Sequence, residues 1–127
     1  MDPRTRKDRL AQGNIIDVST YARPVGFVIP VALSRSVWLA LVDGGEGWSF
    51  MEPNSRAKDR RILEILIEAV RAVRGAEDSE TARFSLFRFS SKQERRISGK
   101  IAIKNDLLVR CEPADDESPA ITIYLEN

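Results

Sequence analysis

The 127-residue sequence contains no histidine and a single cysteine, Cys111. Without imidazole there is no Ser-His-Asp triad, no Cys-His nucleophile pair and no zinc site built on histidine. One thiol makes neither an internal disulfide nor a cysteine-rich metal centre. Acid–base work near neutral pH would fall to carboxylates or to a lysine of strongly shifted pKa, and no spacing in the chain advertises either. The phosphate-binding and nucleophile motifs G-x-G-x-x-G and G-x-S-x-G are missing, as is the E-x-K of nuclease-like carboxylate sites. The composition therefore predicts a protein that is not an enzyme and takes no cofactor.

An excess of one charge is also missing. Twenty Lys and Arg face nineteen Asp and Glu, a net charge of +1, so no whole-molecule field draws the chain to nucleic acid or to an anionic membrane. No apolar run approaches the roughly 20 residues that cross a bilayer. The opening "MDPRTRKDRL" is charged where a signal peptide carries its apolar segment. With the lone cysteine, this predicts a cytoplasmic, reducing setting and no membrane partner.

What is present is globular: 43% of residues are hydrophobic and 31% charged. Residues 1–127 are expected to form a single domain, with 1–12 as a mobile N-terminal helix. A chain of this length buries about two-thirds of its unfolded surface and needs no staple. "RTRKDRLAQ" (4–12) reads as a short polar helix ending at Gly13, and "NIIDV" (14–18) as a strand. Asp17 or Ser19 can cap a single helical turn that Pro24 stops. "FVI" (27–29) is strand-like, and Pro30 confines it to a strand end or an edge. Ser34 caps a second helix, with Leu33 and Trp38 at the two positions of a hydrophobic staple. Val37, Trp38, Leu41 and Val42 make its apolar face, and Asp43-Gly44-Gly45 ends it.

The segment "DGGEGWSFMEPNS" (43–55) lacks periodicity. Its Trp48 and Phe50 either fold back over the core or present a binding surface. "SRAKDRRILEILIEAVRAVRG" (55–75) is a long amphipathic helix. Ile62, Leu66, Ala69, Val70 and Val73 form its stripe, and Leu63 and Ile67 widen it. Arg60 with Glu64, and Glu68 with Arg71, are plausible surface pairs. Arg56, Lys58, Arg60 and Arg61 crowd the helix N-terminus, where the dipole prefers negative charge. Either solvent or a nearby acidic segment offsets them, or they form an anion-facing patch for a partner.

Beyond residue 80 the pattern changes to strands. "RFSLFRF" (83–89) is apolar on both faces and is expected inside the sheet. "SSKQERR" (90–96) is a polar turn. From 97 to 111 one long strand, bent or bulged at Asn105-Asp106, keeps an apolar face intact better than a hairpin does. "AITIYLE" (120–126) alternates, with Thr122 and Tyr124 outward. Cys111 is expected to be packed and inert, and Glu112, Asp115, Asp116 and Glu117 to form a solvated acidic turn rather than a cation site. The fold class is α+β: an antiparallel sheet of three to four strands packed on one long helix, with short N-terminal helical and strand units.

The stretch "GNIIDVSTYARPVGFVIPVALSRSVW" (13–38) resembles the opening of a family of small, uncharacterised bacterial proteins. Their genes ride on plasmids, integrative elements and phages. The shared pattern is I-D-V-S, A-R, G-F, P-V-A-L-S/T and V-W. It continues through "RRILEILIEAVRAVR", "RFSLFRF" and "SPAITIYLE", covering residues 12 to 126, and departs at Pro24 and at "DGGEGWSFMEPNS". No catalytic or binding residue comes with the family. The resemblance implies an accessory protein of a mobile element, where small proteins often counter restriction or CRISPR systems by binding a host protein. Its candidate contacts are Arg56, Lys58, Arg60, Arg61, Trp48 and Phe50. The alternative is a nucleic-acid-binding or regulatory module using Lys100, Lys104, Arg110 and Tyr124 on a basic sheet face.

Overall fold

The computed structural model describes residues 5–43, 55–77, 80–89 and 102–126. The fold is α+β, but among the described residues its sheet has five strands and is mixed. Helix α1 (Arg6–Ala11) leads to β1 (Ile15–Asp17), α2 (Ser19–Val25) and β2 (Val31–Ser34). Next come α3 (Arg35–Val37), running on into a π-helical turn (Trp38–Val42), and the long α4 (Ser55–Gly75). Strands β3 (Thr81–Phe89), β4 (Ala102–Pro113) and β5 (Pro119–Leu125) complete the order.

Across the sheet the strands run β1-β2-β5-β4-β3. β2 lies parallel to β5, with Val31 opposite Ile121, whereas the other three pairings are antiparallel. The N-terminal strands thus belong to the one sheet, which corrects the expected antiparallel set of three or four. Local pattern does not encode which distant strand a buried segment joins. All four residues of β2 are buried, as in a strand covered on both faces.

Several local expectations hold because their causes are local. Thr5 and Asp8 form a reciprocal capping box at the start of α1. At its end Gly13 takes φ +76°, while the Asn14 amide reaches the Arg9 carbonyl (2.9 Å) and the Gly13 amide the Leu10 carbonyl (3.2 Å), a Schellman closure. The Ser34 hydroxyl accepts from the Val37 amide at 3.3 Å. α4 spans the expected residues, and its buried stripe is Ile62, Ile65, Leu66, Ala69 and Val70. Ile67 and Val73, expected on that stripe, are 43% and 41% exposed.

Two proline readings need correction. α2 runs through Pro24, which sits in the last turn of a seven-residue helix, where its missing amide forfeits a single bond. Gly26, at φ +130°, then ends the helix by donating to the Ala22 and Arg23 carbonyls. Residues 27–29 are not a strand. β2 begins after Pro30, whose carbonyl accepts from the Ile121 amide at 2.8 Å. Proline withholds a donor there but keeps the acceptor that opens the parallel ladder.

The main core lies between one sheet face and α2, α3 and α4, with Leu33, Val37, Leu66, Leu107 and Ile123 fully buried. Trp38 is half-buried against it. Ile15, Ala32, Ala120 and Thr122 are buried on the opposite face, the face that carries α1. β4 is one strand through Asn105 and Asp106, but without the expected bulge. Its register with β3 is unbroken, Leu86 opposite Asn105 and Ser85 opposite Asp106.

Candidate functional site

The outer face of the sheet is divided. α1 roofs the part formed by β1, β2 and β5, whereas no described element covers the part formed by β4 and β3. Strand alternation places Arg83, Ser85 and Phe87 of β3 there, beside Lys104, Asp106, Leu108 and Arg110 of β4. The register sets Arg83 opposite Leu108, Ser85 opposite Asp106 and Phe87 opposite Lys104. Phe87 is 62% exposed. The Ser85 hydroxyl donates to the Asp106 carboxylate at 2.7 Å, and Lys104 stands 3.5 Å from that carboxylate. The serine bond chiefly, with the Lys104 charge, holds the Asp106 carboxyl below its usual range. Arg83 reaches Glu126, just past β5, at 3.1 Å. The result is a surface of alternating charge that also carries an exposed aromatic ring.

The roofed half is a closed polar network. The Glu112 carboxylate accepts from the Tyr124 hydroxyl (2.6 Å), the Thr122 hydroxyl (3.1 Å) and Arg9 Nη1 (3.3 Å). Arg9 Nη2 donates to the Tyr124 oxygen at 2.7 Å. Arg6 donates to Thr122 Oγ1 (2.9 Å) and to the Ile121 carbonyl (3.0 Å). Asp115 receives the Arg6 and Lys7 amides at 2.8 and 3.0 Å, tying down donors that the first turn leaves free. Burial pushes the Arg6 pKa down, with Glu112 opposing. For Arg9, burial works the same way but is outweighed by its bond to Tyr124 and by Glu112, so its pKa rises. Burial first, then the bond to Glu112, raises the Tyr124 hydroxyl. No residue of α1 is itself buried; side-chain polar contacts hold it on the sheet.

The expected basic cluster on α4 divides among different tasks. Arg61, 7% exposed, donates to the Val42 carbonyl at 2.9 Å. It thereby satisfies an acceptor at the end of the π-helical turn and leaves the surface patch. Lys58 pairs with Asp43 at 3.3 Å, and Asp59 receives the Tyr21 hydroxyl at 2.7 Å. The offsetting acid for Lys58 is thus Asp43, just past the π-helical turn. Arg60 is exposed. The Arg56 side chain, Trp48, Phe50 and Lys100 lie outside the described residues, as does the turn at 90–96.

Of the second expected set, Lys104 and Arg110 are exposed on the β3–β4 half. Tyr124 is part of the α1 seat, so Thr122 and Tyr124 face a roof rather than solvent. β3, expected inside the sheet, is its edge among the described residues. Phe87, on its second face, is exposed instead of covered. Cys111 is exposed rather than packed. It lies at the rim of a crevice of about 190 Å³ lined by Ile29, Val73, Ala76, Val109 and Ile121.

The acidic residues expected to be solvated have structural duties. Glu112 and Asp115 seat α1, and Asp116 caps Ser118, accepting from its amide at 3.0 Å. No group of three potential metal ligands occurs among the described residues. The α1 seat was not foreseeable: Arg6 and Arg9, three apart, share a helix face, but nothing local connects them to Glu112 or Tyr124. No helix among the described residues is long and apolar enough to cross a membrane. Comparison with protein-family models, curated proteins and solved structures gave no match to this chain.

Proposed function

We propose that this chain is a non-enzymatic accessory protein of a mobile genetic element that acts by binding a host protein. The resemblance of its opening points to a defence-system component as the target, in the manner of an anti-restriction or anti-CRISPR inhibitor. The contact surface is the β3–β4 half of the outer sheet face. The observation that supports it is Phe87, 62% exposed opposite Lys104 and on the same strand face as Arg83. A large ring costs free energy to keep in water, and aromatic and arginine side chains dominate binding hot spots.

The experiment is affinity purification from the native host, comparing wild type with Phe87→Ala and with the pair Lys104→Glu and Arg110→Glu. The expected result is a co-eluting protein that both variants lose. An identical set of co-eluting proteins from all three sinks this surface.

A nucleic-acid reading draws on the same face, because Arg83, Lys104 and Arg110 are all exposed there. Two of these cations already face Glu126 and Asp106, and the Tyr124 hydroxyl is taken. Binding to single-stranded DNA that falls steeply with salt would favour it.

A further inference from the structure

Among the described residues β3 is an outer strand of the sheet, and its outward side has a definite hydrogen-bonding phase. The Cys111 amide donates to the Glu80 carbonyl at 2.8 Å, so with the observed register Ala82, Phe84 and Leu86 spend their amides and carbonyls on β4. Arg83, Ser85 and Phe87 point theirs away from the sheet, and no strand lies beyond β3 among the described residues. The opposite edge, β1, has only three residues. β3 has nine, with no proline, glycine or lysine to discourage pairing.

We infer that β3 pairs antiparallel with β3 of a second copy of this chain about a two-fold axis at Ser85, joining two sheets into one. Three features select this occupant. Ser85 is the midpoint of Thr81–Phe89, so the register centred on it engages Arg83, Ser85 and Phe87 symmetrically. That register sets outward-pointing residues against outward-pointing residues, which is what a narrow hydrogen-bonded pair requires. It also sets Arg83 opposite Phe87 of the second copy and Phe84 opposite Leu86 of the second copy. A guanidinium then lies over a ring on the outer face while it keeps its bond to Glu126. An aromatic–aliphatic pair forms on the inner face. No arginine meets its own counterpart. The contact is isologous and closes on itself, and it continues the β3–β4 face described above across both copies. It does not depend on any host protein, so the two readings fail separately.

Sedimentation analysis or light scattering over a concentration series is the test. Wild type is expected at twice the 14.3 kDa chain mass. Ser85→Pro removes an outward amide and leaves the β3–β4 ladder whole. Two hydrogen bonds vanish at the symmetric centre, so dimerisation weakens about tenfold or more. Unchanged circular dichroism shows that this variant is folded. In a Cys111→Ser background, Ser85→Cys is expected to form an intermolecular disulfide on mild oxidation, whereas Arg83→Cys, offset four residues from its counterpart, is not. A wild-type monomer across the series, a dimer unaffected by Ser85→Pro, or equal cross-linking at 83 and 85 overturns the inference.

Discussion

Replacing Glu112 by alanine removes three side-chain hydrogen bonds at once: those from Tyr124, Thr122 and Arg9. The Glu112 and Arg9 side chains are only 20% and 16% exposed, so water screens this pair weakly. A hydrogen bond to a charged group is worth about 1.5–3 kcal/mol net, and a neutral one about 1 kcal/mol. Full additivity is not expected. Once Glu112 is gone, α1 can lift and let Arg9 rehydrate, because no residue of that helix is buried. That escape limits the loss to about 3 kcal/mol, equivalent to roughly 10 °C in Tm for a domain of this size. Glu112→Gln keeps the shape but loses the charge, and should cost about half as much. Urea melts of wild type, Glu112→Ala, Arg9→Ala and the double variant measure the coupling, expected at about 1–2 kcal/mol. Amide exchange over residues 5–12 should accelerate in each single variant. A Glu112→Ala melt within about 0.5 kcal/mol of wild type, or additive single losses, would refute the account of α1 as a polar-seated helix.

The same network predicts a pH dependence. Folding raises the Tyr124 pKa above the ordinary value near 10, so the native state holds the phenolic proton more tightly than the unfolded chain. This contribution is complete below pH 10 and is lost as pH climbs through the raised value; Tyr124→Phe should flatten that part of the decline. Parallel curves for the two proteins from pH 8 to 11 would contradict it. At Arg61, methionine preserves the apolar stem but deprives the Val42 carbonyl of a donor, at a cost of about 1–2 kcal/mol. Alanine also empties the space under the stem and should cost about 3 kcal/mol. Equal losses from the two variants on chemical denaturation would mean that the bond, and not the packing, dominates.

Elements whose causes lie within a few residues were legible. The α4 stripe, the Ser34 cap and the left-handed Gly13 closure follow from spacing and side-chain chemistry alone. Pro24 misled because its penalty is small in the last turn of a helix closed by Gly26. The "RFSLFRF" run misled for a different reason: apolar residues on both faces fit an interior strand, yet also fit an edge whose second face is left uncovered. Arg61 looked like one of four surface cations because its partner is a backbone carbonyl 19 residues away, which carries no side-chain signature. The α1 seat joins residues 6, 9, 112, 115, 122 and 124, and only the finished sheet brings them together. The candidate surface was half visible. Lys104 and Arg110 were picked out by their alternation, while Phe87, which carries the proposal, was assigned to the interior.

The single parallel junction, β2 beside β5, has a kinetic consequence. Val31 finds its neighbour Ile121 across about ninety residues of intervening chain, and that contact sits in the middle of the sheet. During synthesis the first half can coil α1, α2 and α3, but β2 has only the three-residue β1 to pair with until the final strand leaves the ribosome. Closing so large a loop is slow. For those seconds β2 is a sticky ribbon, and chaperone demand should be set by that wait more than by the stability of the finished protein.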